Sequence, residues 1–205
     1  MSNEVQTKEK INLDPKYIIK LTVTLFLTCV VVAGLLGLVN KVTEPNITAA
    51  NKAKTEAAMQ QVVADPEGST FSDSLEITAA MNDAAASAGA KVTEAYEVQA
   101  GGAAAGYALK IVSSGSQGNI EMMVGVDAEG VVTGVSIVNN SETAGIGSKV
   151  MSNENGVLDQ FIGKSAADGT LAVGKNVDAI TGATVSSRGV TTGVNAALAV
   201  AGVMG

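Results

Sequence analysis

The sequence contains no histidine and no tryptophan, and only 3% of its 205 residues are aromatic. Without histidine the chain lacks the most common general base and the most common ligand of transition metals. Its one cysteine, Cys29, cannot by itself complete a zinc site, an iron–sulfur cluster or an internal disulfide. Histidine-dependent hydrolases are therefore excluded, and we expect neither a metal site nor a catalytic residue. If the protein transfers electrons, it must do so through an organic cofactor.

Positive charge is also scarce. The chain has 13 lysines and arginines against 20 aspartates and glutamates, so its formal net charge is −7. No stretch of the sequence concentrates basic residues. This balance argues against a nucleic acid as a partner, because binding to phosphate backbones requires clustered positive charge.

What the chain does have is a long apolar run near its beginning. Residues Leu21 to Val39 carry no charge, and 19 residues suffice to cross the hydrocarbon core of a bilayer. Tyr17 suits the membrane interface, and Lys20 can extend towards it. The alternative is a cleavable signal peptide, which has a shorter apolar region and a small-residue cleavage site. We therefore predict a cytoplasmic tail over residues 1–16 and a transmembrane helix over residues 17–40.

The distribution of lysines predicts the orientation of that helix. Four lysines precede the apolar run, and three (Lys41, Lys52 and Lys54) follow it closely. The positive-inside rule then places the N-terminus in the cytoplasm, although the difference is small. We expect a single-pass protein of the plasma membrane whose C-terminal domain lies outside the cytoplasm.

The region after the membrane segment divides into a connecting part, residues 41–87, and one domain, residues 88–205. A helix is predicted from Thr43 to Ala64, with Pro45 in its first turn and a stop at the DPEG sequence that follows. The Ala-rich residues 79–90 are typical either of a short helix or of a mobile surface segment.

The middle of the chain is typical of an antiparallel β-meander. Segments rich in Val, Ile, Tyr and Thr are separated by glycine-containing turns at residues 101–106 and 127–130. The predicted strands are Lys91–Ala100, Tyr107–Ser113, Asn119–Val126 and Val131–Val138. A helix from about Ser186 to Val203 presents one apolar face, formed by Val190, Val194, Ala197, Leu198 and Ala201. The predicted fold class is α+β, with helices packed on an antiparallel sheet.

A small polar loop, Asp178 to Thr184 (DAITGAT), leads into this last helix. The start of a helix presents unpaired backbone N–H groups and partial positive charge, so it suits a phosphate group. On these seven residues alone the loop is equally well read as a turn followed by an N-cap, for which Thr, Ser and Gly are ordinary choices.

Two loops together resemble a known family. The DAITGAT loop resembles the D-x-x-[ST]-G-A-[ST] flavinylation signature, and residues 141–149 (SETAGIGSK) resemble the E-T-P-G-L-G loop that accompanies it. With the strands around them and the N-terminal anchor, they resemble the FMN-binding domain of the G subunit of Rnf ferredoxin:NAD oxidoreductase complexes. The resemblance covers about residues 88–203, and the domain is related to the C subunit of the sodium-translocating NADH:quinone oxidoreductase.

The resemblance implies one covalently bound FMN per chain, attached through a phosphoester to Thr184. In the family a separate flavin transferase takes the FMN from FAD and releases AMP. Gly182 and Ala183 would leave the approach open, and Asp178 and Thr181 would hold the loop through hydrogen bonds to its backbone. Val185, directly after the acceptor, is included among the residues expected to bind the cofactor.

The resemblance also places the Glu142–Gly147 loop against the isoalloxazine ring. Expected contacts are Glu142, Thr143 and the backbone of Gly145 and Gly147, with Ile146 as an apolar surface. Ala144 replaces the usual proline, which predicts a less rigid loop. Lys149 and Arg188 are candidates to neutralise the phosphate, although each suits a solvated surface equally well. A plain hairpin connection with two glycines is the alternative for the whole loop.

The implied function is electron transfer within a membrane complex that couples ferredoxin oxidation and NAD reduction to export of Na⁺ or H⁺. On this reading the chain is a redox subunit that is not catalytic alone, and its partners are the other subunits. The alternatives are the C subunit of the quinone reductase, a membrane-anchored flavoprotein regulator, and a scaffold without flavin.

Overall fold

The computed structural model describes residues 14–205, so most of the expected cytoplasmic tail, residues 1–16, lies outside the described residues. The chain divides into two compact units, one ending at Ala50 and the other running from Asn51 to Gly205. The second unit is larger than the domain expected from residue 88 onwards, because the segments before that residue contribute to its core.

The first helix, α1, runs without interruption from Pro15 to Gln61. Residues 21–39 are exposed throughout, and α1 is long and apolar enough to cross a membrane. The prediction that a separate helix begins at Thr43 is wrong, because Pro45 lies inside α1 rather than in a first turn. Proline removes one backbone hydrogen bond at that point, and the good helix formers after it (Ala, Lys, Glu, Met and Gln) continue the helix.

The second unit consists of a five-stranded sheet with helices on its faces. Its regular elements are β1 (Ser69–Phe71), α2 (Ala79–Ser87), β2 (Lys91–Ala100), β3 (Ala103–Ser114), β4 (Asn119–Asp127), β5 (Val132–Asn140), α3 (Gly147–Met151) and α4 (Thr184–Met204). The strands pair in sequence order and each pair is antiparallel. The predicted α+β class and the meander are confirmed, and the Ala-rich segment is a helix, α2.

The hairpin between β2 and β3 is tighter than the sequence suggested. Its turn consists of Gly101 and Gly102, both with positive φ, rather than of residues 101–106. Gly106 lies within β3, where a Cβ would come within 2.6 Å of the Cα of Asp127 in the adjacent strand. Gly106 is therefore required by a close approach of two strands and does not mark a turn.

One face of the sheet packs against α2 and α4. Leu109, Ile111, Ile120, Met122 and Val124 are fully buried there. The predicted apolar face of α4 is confirmed, since Val190, Val194, Ala197, Leu198 and Ala201 are all buried in the same cluster. This packing holds the first turn of α4 at the edge of the core.

The opposite face of the sheet is covered by the last turns of α1 and by Val62, the residue that follows them. Met59 and Val62 pack there against Val98, Ala108 and Met123. The approach is so close that a Cβ on Gly134 would lie 2.8 Å from the Cα of Val62. The end of α1 therefore belongs to the core of the second unit.

An ion pair lies on the same face. The Nζ of Lys110 donates hydrogen bonds to Glu94 at 2.8 Å and to the hydroxyl of Thr55 at 3.3 Å, and the Tyr96 hydroxyl donates to Glu94 at 2.6 Å. Burial raises the pKa of Glu94, but the hydrogen bonds from Lys110 and Tyr96 and the charge of Lys110 outweigh burial and lower it. Burial and the bond to Glu94 raise the pKa of Tyr96. The pair joins α1 to β2 and β3.

The segment between β5 and α4 is mostly irregular. It contains α3 and three short 3-10 turns, at Glu154–Gly156, Asp159–Phe161 and Ala166–Asp168. Phe161 and Val150 are buried and attach this segment to the main core. The segment brings the loop after β5 and the loop before α4 to the same edge of the domain.

Candidate functional site

The two loops singled out from the sequence meet at the start of α4, where they border a cavity of about 320 Å³. The lining combines the loop after β5, the loop before α4 and the turn between β3 and β4. Its residues are Ser116, Gln117, Glu142, Thr143, Ile146, Gly147, Gly182, Ala183, Thr184, Val185 and Ser186.

Thr184 is the first residue of α4 and is exposed at this cavity. The residue before it, Ala183, occupies the N-cap position and offers no side-chain hydrogen bond to the helix. The backbone hydrogen bonds of α4 start with the N–H of Ser187, which donates to Ala183 at 2.9 Å. The N–H groups of the first turn are therefore left without helical partners, beside a free hydroxyl.

Gly182 allows the chain to turn into the helix. Its φ of +84° lies in the left-handed region, which side chains disfavour, and no atom lies within 4 Å of the position of a Cβ. The glycine is thus required by the backbone conformation rather than by crowding, and it leaves the approach to Thr184 open.

The loop before α4 is held by residues outside the recognised motif. The side-chain amide of Gln160 accepts from the N–H of Asp178 at 2.7 Å and donates to its carbonyl at 3.1 Å. The buried hydroxyl of Ser187 accepts from the N–H of Ile180 at 3.3 Å and donates to the carbonyl of Ala183 at 3.1 Å. The shape of the loop therefore depends on Gln160 and Ser187, whereas Asp178 and Thr181 are exposed.

The loop after β5 folds tightly around Thr143. The carbonyl of Thr143 accepts hydrogen bonds from the N–H groups of Ile146 and Ser148, both at 3.3 Å. The N–H of Gly145 donates to the hydroxyl of Ser148 at 2.8 Å. The Ile146 side chain is 52% exposed, and Val185 on the other loop is 53% exposed. Two apolar side chains thus border the cavity without being buried by the protein itself.

Glu142 is oriented towards the protein rather than towards solvent. Its carboxylate accepts from the N–H of Ser116 at 2.7 Å and from the Ser186 hydroxyl at 2.5 Å. Sequence reasoning assigned Glu142 to the cofactor, and the structure shows that both carboxylate oxygens already bind groups of the chain.

Not all expected site residues line this cavity. Asp178 and Thr181 line a neighbouring cavity of about 480 Å³, together with Lys149. Lys149 forms an ion pair with Glu154 at 3.4 Å, with both side chains nearly half exposed, and Arg188 is exposed on α4. Gly145 shapes its loop with a φ of +82° and lines neither of these two cavities.

Several residues of the site were missed from the sequence. Ser116 and Gln117 lie in a turn that carries no motif, and Ser186 and Ser187 were read only as part of a helix start. What brings Ser186 into the site is its hydrogen bond to Glu142, a residue 44 positions away in the sequence. A separation of that size leaves no local pattern.

The arrangement suits a ligand that carries both a phosphate and an apolar ring. Free N–H groups at the start of α4 favour an anion. Ile146 and Val185 offer apolar surface, and the Thr184 hydroxyl offers a point of attachment. Residues 14–205 contain no group of His, Cys, Asp and Glu side chains placed to hold a metal ion. The N–H groups, the two apolar side chains and the Thr184 hydroxyl together fit a phosphorylated organic cofactor such as FMN.

Comparison with known proteins also points to an FMN-binding domain. The family described as FMN-binding domain matches residues 115–199, a range that contains both loops and most of α4. The chain is 34% identical over 206 residues to the G subunit of the "Na(+)-translocating ferredoxin:NAD(+) oxidoreductase complex" of Acetobacterium woodii, covering 96% of this chain and 97% of that protein.

Two further matches are less similar to this chain. The G subunit of the "Ion-translocating oxidoreductase complex" of Methanosarcina acetivorans is 29% identical, with 90% of this chain and 95% of the relative covered. Among solved structures, NqrC of Shewanella oneidensis matches with a TM-score of 0.42 and 24% identity, over 50% of this chain and 53% of that one.

Proposed function

The chain belongs to the family of G subunits of ion-translocating ferredoxin:NAD(+) oxidoreductase complexes, and from that membership we propose that it is the flavin-carrying electron-transfer subunit of such a complex. The relatives from Acetobacterium and Methanosarcina are both G subunits and match over nearly their whole length. This favours a G subunit of a ferredoxin:NAD oxidoreductase complex over the C subunit of a quinone reductase. The partners are the other subunits, and the complex exports Na⁺ or H⁺.

We propose further that FMN is attached to Thr184 through a phosphoester. The observation that carries this proposal is the position of the hydroxyl, exposed at the first residue of α4 and bordering the cavity between the two loops. Ala183 cannot cap the helix, so the N–H groups of the first turn remain available to the phosphate. The modification would leave one FMN on each chain.

The attachment balances as a phosphoryl transfer from the phosphoanhydride of FAD to the hydroxyl of Thr184. The Thr184 oxygen bonds to the phosphorus of the FMN half of FAD, the P–O bond to the AMP half breaks, and AMP leaves. The hydroxyl proton passes to solvent or to a base of the flavin transferase, and no electron is transferred in this step. The chain has no histidine to act as the base, which agrees with the need for a separate transferase.

Once attached, FMN would supply the one- and two-electron chemistry that the amino acids of this chain lack. Ile146 and Val185 would contact its apolar ring, and the first turn of α4 would hold the phosphate. Gly145 and Thr143 would keep the loop after β5 in place. The role of the protein is to orient the cofactor and to keep it from diffusing away.

We also propose that α1 anchors the chain in the plasma membrane with its N-terminus in the cytoplasm. The support is the exposed apolar surface of residues 21–39 together with the lysines that precede it. The flavin domain then lies outside the cytoplasm, where a cofactor held by weak contacts alone would be lost.

Co-expression with a flavin transferase tests the attachment. We expect the full chain to give a fluorescent band on a denaturing gel under ultraviolet light, and Thr184→Ala to give none. Thr170→Ala is the matched control, because Thr170 is also exposed but lies away from this cavity. The absence of fluorescence from the unaltered chain, despite an active transferase, would contradict the proposal. A band that persists in Thr184→Ala would contradict the site.

A further inference from the structure

We infer that Glu142 is a positioning residue that holds the start of α4, and with it Thr184, in the conformation required for flavin attachment. This inference rests on the proposed function. It differs from the expectation that Glu142 contacts the cofactor, because its carboxylate joins three segments of the chain instead.

The three segments are visible in its hydrogen bonds. One carboxylate oxygen accepts from the backbone N–H groups of Ser116 at 2.7 Å and Gln117 at 3.3 Å, in the turn between β3 and β4. The other oxygen accepts from the hydroxyl of Ser186 in the first turn of α4. The N–H of Glu142 donates to the side chain of Asn140 at 3.1 Å, which fixes the start of its own loop.

The surrounding residues leave space for this carboxylate and little more. A Cβ on Gly147 would lie 2.8 Å from the Cβ of Glu142 and 2.9 Å from the hydroxyl of Ser186. A Cβ on Gly115 would meet the carboxylate oxygen of Glu142 that accepts from Ser116. Neither glycine has a positive φ, so crowding rather than backbone conformation accounts for both, and Glu142 supplies the nearest atom in each case. The carboxylate is thus packed in place as well as hydrogen-bonded.

The link to Thr184 passes through Ser186. Ser186 is 1% exposed and lies two residues after Thr184 in the same turn. Since the N–H groups of the first turn have no helical partners, a side-chain bond there adds to the packing of α4 in keeping that turn ordered. A hydrogen bond to a charged acceptor, shielded from water, is a strong one. Without it we expect the acceptor hydroxyl to sample several positions.

The test compares Glu142→Ala, Glu142→Gln and Ser186→Ala in the full chain in detergent, with purified flavin transferase and FAD. Initial rates of flavin attachment are normalised to the folded fraction, measured by far-ultraviolet circular dichroism. We expect Glu142→Ala to react about tenfold more slowly, the rate equivalent of one hydrogen bond to a charged group. Glu142→Gln can still accept from Ser116 and donate to Ser186, so it should recover most of the rate.

Two further variants make the result specific. The double variant with Ser186→Ala should be no slower than Glu142→Ala alone, because both changes break the same bond. Glu129→Ala is the matched control, since Glu129 is exposed in the hairpin between β4 and β5. The visible circular dichroism of the attached flavin should change in Glu142→Ala and be unchanged in Glu129→Ala.

The outcomes separate this inference from the proposed function. If the unaltered chain is not modified, the proposed function fails. If it is modified but Glu142→Ala reacts at the same rate and gives the same flavin spectrum, the positioning role is overturned even when thermal stability falls. If Glu142→Ala does not fold, Ser186→Ala decides: a slower rate supports the inference, and an unchanged rate and spectrum refute it.

Discussion

At the scale of single residues, Thr184 and Glu142 line the same cavity in opposite ways. Thr184 is exposed at the cavity, whereas the Glu142 carboxylate accepts hydrogen bonds from the N–H of Ser116 and the hydroxyl of Ser186. The first is suited to be modified and the second to hold its neighbours. A motif read from the sequence places both at the site but does not separate these roles, because the difference depends on partners distant in the chain.

Gly182 provides a prediction at the residue scale. Its φ of +84° with open space around it means that a substitution would cost backbone strain without a clash. We expect Gly182→Val to destabilise the folded chain by about 1–2 kcal/mol and Gly182→Asn by less, because asparagine tolerates left-handed conformations. Urea unfolding followed by circular dichroism measures the difference, and equal effects of the two variants would contradict the assignment.

Glu94 provides a prediction about pH. Its pKa in the folded protein is lowered from an ordinary value of 4.5, so its ion pair with Lys110 stabilises the fold above that value. The contribution is lost as pH falls through the lowered pKa. Glu94→Gln should lower the free energy of unfolding at pH 7 by about 1–3 kcal/mol, because Lys110 is left without its counter-charge. Its stability should also vary less between pH 6 and the acid range, and an unchanged pH profile would contradict the account.

At the scale of elements, the sheet is covered on both faces by helices from opposite ends of the chain. The start of α4 is held in position by its packing on one face, and the last turns of α1 close the other. The loop after β5 and the loop before α4 lie at one edge of the sheet, and buried Ala183 joins the second of them to the main core.

The close contact between α1 and the sheet yields a matched pair of substitutions. Gly134→Ala would place a methyl group 2.8 Å from the Cα of Val62 and 3.1 Å from the Gln61 carbonyl, and we expect it to cost about 1–3 kcal/mol by overpacking. Gly202→Ala in α4 meets no atom within 4 Å and should be neutral or slightly stabilising. Thermal unfolding of both variants checks this, and an unaffected Gly134→Ala would show that the chain at the end of α1, Gln61 and Val62, does not pack on the sheet as described.

Elements with a regular apolar pattern could be predicted from the sequence, and irregular ones could not. The strand β2 was predicted with its observed bounds, and α4 within two residues at each end, because alternating or helical apolar patterns are local signals. The three-residue β1 and the irregular segment with α3 carry no such period. Pro45 was interpreted as a helix start because proline disfavours the interior of a helix. In the structure the helical residues on both sides of Pro45 continue one helix through it. The candidate loops were found through motifs, and the turn at Ser116 was not.

At the scale of the whole molecule, the chain joins an apolar helix to an acidic domain. Residues 41–205 carry 9 basic and 17 acidic side chains, a balance of −8, whereas residues 1–40 carry a balance of +1. Such a domain stays soluble at the membrane surface and leaves contact with other subunits to specific patches. One anchor and one cofactor domain are the parts expected of an electron carrier within a larger assembly.

The proposed orientation is open to direct labelling. In a Cys29→Ser background, Thr170→Cys and Ser2→Cys place single thiols on the domain and near the N-terminus. In intact cells a membrane-impermeant maleimide should label Thr170→Cys but not Ser2→Cys, and lysis should expose both. Labelling of Ser2→Cys alone in intact cells would show that the N-terminus lies outside the cytoplasm and would contradict the proposed orientation.

Whether this chain carries FMN on Thr184 can be read from mass spectrometry of the protein purified after co-expression with a flavin transferase. Trypsin should release residues 176–188, a peptide with four hydroxyl side chains at Thr181, Thr184, Ser186 and Ser187. We predict that this peptide gains the mass of one FMN less one water and that fragmentation places the addition on Thr184. An unmodified peptide, or an addition on one of the other three residues, would contradict the account.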